Sequence, residues 1–125
     1  MKSIFFFLTI CTVFINQSYA QEKTQKTPEQ RAVALTEWMK TNLQLMPDQE
    51  GTIQSINLKY ANLNEGLRTS SKSRMQKFKA LKSNDQAKDD ELKVVLTDEQ
   101  FKIYESRKEE LKEKFKEEAR ERRGS

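Results

Sequence analysis

The stretch "RTSSKSRMQKFKALK", Arg68 to Lys82, gathers the groups in this sequence best suited to binding chemistry. Arg68, Lys72, Arg74, Lys77, Lys79 and Lys82 occur there without a single acid, and Met75, Phe78 and Leu81 lie between them. Such a segment suits reversible, non-covalent capture. Cations draw in an acidic or partly unfolded chain, and pliable apolar groups such as methionine hold it loosely. A plainer reading stands beside this one: the charges form a solvated helix face, and Met75, Phe78 and Leu81 belong to a core or a dimer seam.

Other chemistries find little to work with. The chain has no histidine and one cysteine, Cys11. If residues 1–20 are removed as a leader, neither a His base nor a Cys nucleophile remains. Adjacent acids such as Glu109 and Glu110 point to different sides of a helix, so an enzyme is not expected. Asp85, Asp89, Asp90 and Glu91 form an oxygen-only cluster, but their spacing fits no EF-hand loop. A solvated charge run is the simpler reading, and no metal or cofactor is expected. An isoelectric point near 9.2 and the "RERR" run, Arg120 to Arg123, raise nucleic-acid binding. Nineteen interspersed acids make the surface mixed rather than basic, and an export signal argues against such a partner.

That signal lies at the start of the chain. "MK" is followed by the uncharged run Ile4 to Ile15 and by "NQSYA", which ends Ser18-x-Ala20. This is the pattern of a secretory leader cleaved after Ala20. As a helix, the apolar run spans roughly 18 Å, against a hydrocarbon core of about 30 Å. Removing it would leave 22 basic against 19 acidic residues, net +3, with no cysteine for a disulfide. With 34% of residues charged and a mean hydropathy of −0.89, such a chain can bury only a small core. Small cores of this kind often gain stability from a partner chain.

The elements that position these groups are helical throughout. After a polar arm (21–27), Thr27, Pro28 and Gln30 make a capping box with a proline start. Ala32, Leu35, Trp38 or Met39, and Asn42 or Leu43 then recur at helical spacing, which predicts a helix over about 28–44. Trp38 is most simply a core residue of this helix, with a peptide-binding role as the alternative. Ile53, Ile56, Tyr60, Leu63 and Leu67 step by three and four, which predicts a second helix over about 47–68. From Glu65 to Arg74 the chain is small and polar. It either turns back there or runs on as one long helix. A third helix is expected over about 72–95, with a polar middle in which Ser83-Asn84-Asp85 could start a separate helix instead. Thr97 and Gln100 form another capping box, Asp98 and Glu99 suit the first turn of a fourth helix, and Phe101, Tyr104, Lys108, Leu111, Phe115 and Ala119 make its stripe. No period-2 alternation occurs, so the domain, about 28–122, is all-α.

Two corners in this layout repeat. "LMPDQ", Leu45 to Gln49, and "LTDEQ", Leu96 to Gln100, each place a leucine at a helix end and a glutamine at the third position of the next helix. Met46 replaces the capping threonine in the first, so Pro47 must define that start alone. Two helix–corner–helix units suggest two related hairpins. With the leader, these corners resemble the LTXXQ-motif family, the Spy/CpxP-type periplasmic proteins. "LTDEQ" matches in full; "LMPDQ" matches at Leu45 and Gln49 and carries the Pro47 that relatives often share. The resemblance covers about 25–120. It implies a bowl-shaped antiparallel homodimer of bent helical hairpins, and a periplasmic location. It further implies an ATP-independent chaperone that holds unfolded or misfolded envelope proteins on a basic, partly apolar face. Other members restrain envelope-stress sensor kinases or respond to metal, which is the alternative function. Leu45, Pro47, Gln49, Leu96, Thr97 and Gln100 are then architectural, and binding falls to Arg68–Lys82.

Overall fold

The computed structural model describes residues 25–124, and within them the chain is four helices with no strand. The expected leader, its expected cleavage point and most of the expected N-terminal arm lie outside the described residues. α1 runs Pro28–Leu43, α2 Pro47–Arg68, α3 Arg74–Val95 and α4 Asp98–Gly124. No described helix is long and apolar enough to cross a membrane.

Each helix begins with a glutamine at its third position. Thr27 and Gln30 form a full capping box: Thr27 Oγ1 accepts from the Gln30 amide at 3.2 Å, and Gln30 Oε1 accepts from the Thr27 amide at 2.9 Å. Thr97 and Gln100 repeat this at the start of α4, at 3.2 and 3.0 Å. Ser73 and Gln76 repeat it at α3, at 3.2 Å in both directions. That third box fixes Arg74 as the first residue of α3, two residues later than the stripe suggested. At α2 only half the box survives: Gln49 Oε1 accepts from the Met46 amide at 2.9 Å, and Met46 contributes no hydroxyl.

The chain turns back between α2 and α3 rather than running on. Hydroxyls build the turn by occupying the last carbonyls of α2: Ser70 Oγ donates to Leu67 O at 2.7 Å, and Thr69 Oγ1 donates to Glu65 O at 3.2 Å. Lys77 Nζ reaches back to Arg68 O at 3.1 Å, placing a cation at the helix's negative end. The reversal sets Asn84 against Asn64 (3.1 Å) and Glu91 against Lys59 (2.6 Å), so α2 and α3 are antiparallel. α3 is continuous through Ser83–Asp85.

α2 packs along both α1 and α3, while α4 touches α1 and α3 more sparingly. The core lies at the corner end. Met39, Leu43, Leu45, Ile53, Leu92, Leu96 and Tyr104 form one buried cluster, with Leu35, Trp38, Ile56, Val95 and Phe101 packed against it. Trp38 is thus a flanking core residue, and Met39 holds the deeper position. At the opposite end the apolar stripes continue in sequence but are not covered: Leu63, Met75, Phe78, Leu81 and Phe115 are all exposed.

Candidate functional site

The two corners meet face to face, and glutamine explains their repetition. Gln49 and Gln100 are both buried, and their side-chain amides bond reciprocally. Gln49 Nε2 donates to Gln100 Oε1 at 2.8 Å, and Gln100 Nε2 donates to Gln49 Oε1 at 3.0 Å. Each amide also serves the other corner. Gln49 Nε2 donates to Val95 O at the end of α3 (3.1 Å), and Gln100 Nε2 lies within reach of Leu43 O and Gln44 O at the end of α1 (3.3 and 3.4 Å). Each glutamine therefore starts its own helix and closes the end of a helix from the other unit. A buried amide with all its edges satisfied specifies one arrangement. Leu45 and Leu96 are buried beside this clasp, while Pro47 and Thr97 remain exposed on its rim. Gln44, the cap of α1, is the only described non-glycine residue in the left-handed region, with φ 53°.

The basic segment lies at the far end. Met75 and Phe78 are each 64% exposed and Leu81 is 40% exposed, so none of them belongs to the core of the single chain. The cations divide into two groups. Arg68 is held by Glu65 (2.5 Å), which also binds Arg31 across the α1–α2 interface (2.8 Å). Hydrogen bonds from Arg68 and Arg31 lower the Glu65 carboxyl to about 2. Lys77 is engaged with the end of α2. Lys72, Arg74, Lys79 and Lys82 are exposed and have no carboxylate within ion-pair distance among the described residues. Helical spacing groups Met75, Phe78, Lys79 and Lys82 on one side of α3. The structure thus gathers Met75, Phe78, Lys79 and Lys82 on one side of α3, leaves Lys72 before the helix, and diverts Arg68 and Lys77 to structural contacts.

The acids of α3 are engaged by the chain's own cations. Lys108 bridges Asp85 (2.8 Å) and Asp89, Lys112 approaches Asp85 at 3.5 Å, and Lys59 pairs with Glu91. Tyr104 donates to Asp89 Oδ1 at 2.9 Å; burial, then the Asp89 charge, pushes its phenol well above the ordinary value. Burial opposes charge on Lys108, but Asp85 and Asp89 outweigh it and hold the ammonium above its usual range. Among the described residues no group of three or more acidic, histidine or cysteine side chains could hold a metal.

Sequence reasoning missed two features. The clasp was signalled by glutamine recurring at the third helical position, but periodicity does not reveal which glutamines turn inward. Asn57 is buried in the seam of α2, between Ile53 and Tyr60 at helical spacing, where the stripe suggested Ile56. Its Nδ2 donates to Thr36 Oγ1 at 3.0 Å, a second buried polar group that the stripe of α1 did not reveal.

Residues 16–104 match the family described as "Domain of unknown function (DUF4890)", and the chain belongs to that family. The matched region includes both corners and the whole basic segment. No curated protein and no solved structure matches the chain.

Proposed function

We propose that this protein is an ATP-independent holdase, exported to the periplasm through a cleaved leader, that binds unfolding envelope proteins on the basic and apolar face of α3. The observation that carries the reading is the exposure of Met75, Phe78 and Leu81 beside Lys72, Arg74, Lys79 and Lys82, cations that no carboxylate among the described residues engages. A single chain normally covers apolar groups of this size when they recur at helical spacing. Left open and ringed by positive charge, they suit a client that is acidic and only partly folded. The Leu-Thr-x-x-Gln corner and its partner carry the likeness to the Spy/CpxP-type proteins. By that likeness, the four helices form two bent hairpins, and two chains pair antiparallel into a bowl with the basic faces inward. The one-ended core supports such pairing, since a second chain would cover what the first leaves bare.

The test is an aggregation assay. The protein purified after export is added at stoichiometric amounts to a denaturing client without nucleotide. Suppressed light scattering is expected, and unchanged scattering would remove the reading. A variant with Lys72, Arg74, Lys79 and Lys82 changed to Gln should lose most of the effect. Full activity in that variant would exclude the basic face while leaving chaperone action in place.

A further inference from the structure

The uncovered end of the bundle also contains a cavity of about 370 Å³, walled by all four helices. That volume falls within the range of small-molecule sites, roughly 300–1,000 Å³. Small and apolar residues make much of its wall, among them Ala34, Leu35, Ala61 and Phe115. Two polar residues in it are not satisfied by the chain. Asn57 is 1% exposed; its Nδ2 is taken by Thr36 Oγ1 and by Met39 Sδ at 3.6 Å, while its Oδ1 is buried with no donor among the described residues. A buried acceptor without a donor is uncommon and costly. Lys88 is half-buried and, among the described residues, has no carboxylate within ion-pair distance. Its near neighbours Asp85 and Asp89 are already bound to Lys108. Burial lowers its ammonium to about 8 despite those two carboxylates. The guanidinium groups of the wall are already paired, Arg31 with Glu65 and Arg122 with Glu118, a carboxylate that also lines the cavity.

We propose that this cavity binds a small amphipathic carboxylate, its charge paired with Lys88, its apolar body against Leu35 and Phe115, and a hydroxyl or amide N–H donating to Asn57 Oδ1. Two ammonium groups line the wall; Lys26 is exposed at its rim, and Lys88, the half-buried one, matches a single anionic charge. One orphan acceptor matches a single donor. The site is separate from the proposed client face, because none of its lining residues lies between Arg68 and Lys82.

The test is calorimetric titration of the protein purified after export with 3-hydroxydecanoate. Decanoate serves as the probe without the donor and 1,3-decanediol as the probe without the charge. One-to-one binding is expected for 3-hydroxydecanoate, weakened about tenfold for each of the other two. Lys88→Gln should weaken both carboxylates about tenfold and leave the diol unchanged. Ala61→Phe, which fills the cavity, should abolish all three, with the helical circular-dichroism signal showing that the variant is folded. Comparing hydroxylated and plain acid tests Asn57 without altering it. Equal binding of all three probes, binding insensitive to Ala61→Phe, or no binding below the micelle threshold would each overturn the assignment.

Discussion

Gln49 and Gln100 differ from Gln30 and Gln76 in one respect: the same capping amide is buried. At Gln30 and Gln76 the side chain satisfies one exposed backbone amide, and water could replace it. At Gln100 it accepts from the Thr97 amide and from Gln49, and its Nε2 faces the carbonyls that end α1. Truncation would strand several buried partners at once, and each stranded buried group costs about 1–3 kcal/mol. Gln100→Ala should therefore destabilise the protein by about 3 kcal/mol. Thr97→Ala, which removes one part-buried cap bond, should cost about 1 kcal/mol. Denaturant unfolding of the two variants checks the order, and equal losses would remove the clasp as the reason for the repeated corner. A double substitution with Gln49→Ala should cost less than the two single losses added together, because the amides share partners.

At the scale of elements, most boundaries were legible because each helix carries local start signals. Pro28 and Pro47 begin α1 and α2 as expected, and Thr97 caps α4. The start of α3 was misplaced because Ser73-x-x-Gln76, the same box, lies inside a run read for its charges. The register of α2 was less legible. Ile56 fits an apolar seam, yet α2 lies between α1 and α3 and must turn a wedge toward each, which buries Asn57 fully and Ile56 only in part. Residue hydrophobicity alone cannot report on two neighbours. The basic segment was visible as a run, but the diversion of Arg68 and Lys77 depends on where α2 ends, which only tertiary contacts decide.

The Glu65 cluster ties α1 to the end of α2 and gives that pairing a pH dependence. Hydrogen bonds from Arg68 and then Arg31 hold the folded carboxyl at about 2, against an ordinary value of 4.5. A carboxyl with a depressed folded pKa stabilises the fold fully above its unfolded value, and loses that contribution as pH falls toward the folded one. The contribution of Glu65 is therefore complete above about pH 4.5 and fades between there and about pH 2. In thermal melts, the lead of wild type over Glu65→Gln should be constant near neutrality and shrink across that acid window. A lead that stays constant down to pH 2 would show that the carboxylate does not act through these arginines.

At the scale of the whole molecule the chain is unevenly finished. One end has an apolar cluster locked by paired amides; the other leaves Leu63, Met75, Phe78, Leu81 and Phe115 exposed. This asymmetry separates two demands that a core usually merges, holding the fold and meeting a partner. If the exposed end served the single chain's stability, Met75→Ser with Phe78→Ser would lower it. Exposed as they are, each change should alter monomer unfolding by no more than about 0.5 kcal/mol, the ordinary range for one surface site. Client capture should fall sharply in the same variant, and any dimer seam formed by these residues should weaken. Sedimentation at several concentrations distinguishes the two outcomes. Loss of capture with unchanged association assigns Met75 and Phe78 to the client. Loss of association at unchanged monomer stability assigns them to the seam. A large drop in monomer stability would contradict both, since it would require these side chains to be packed within their own chain.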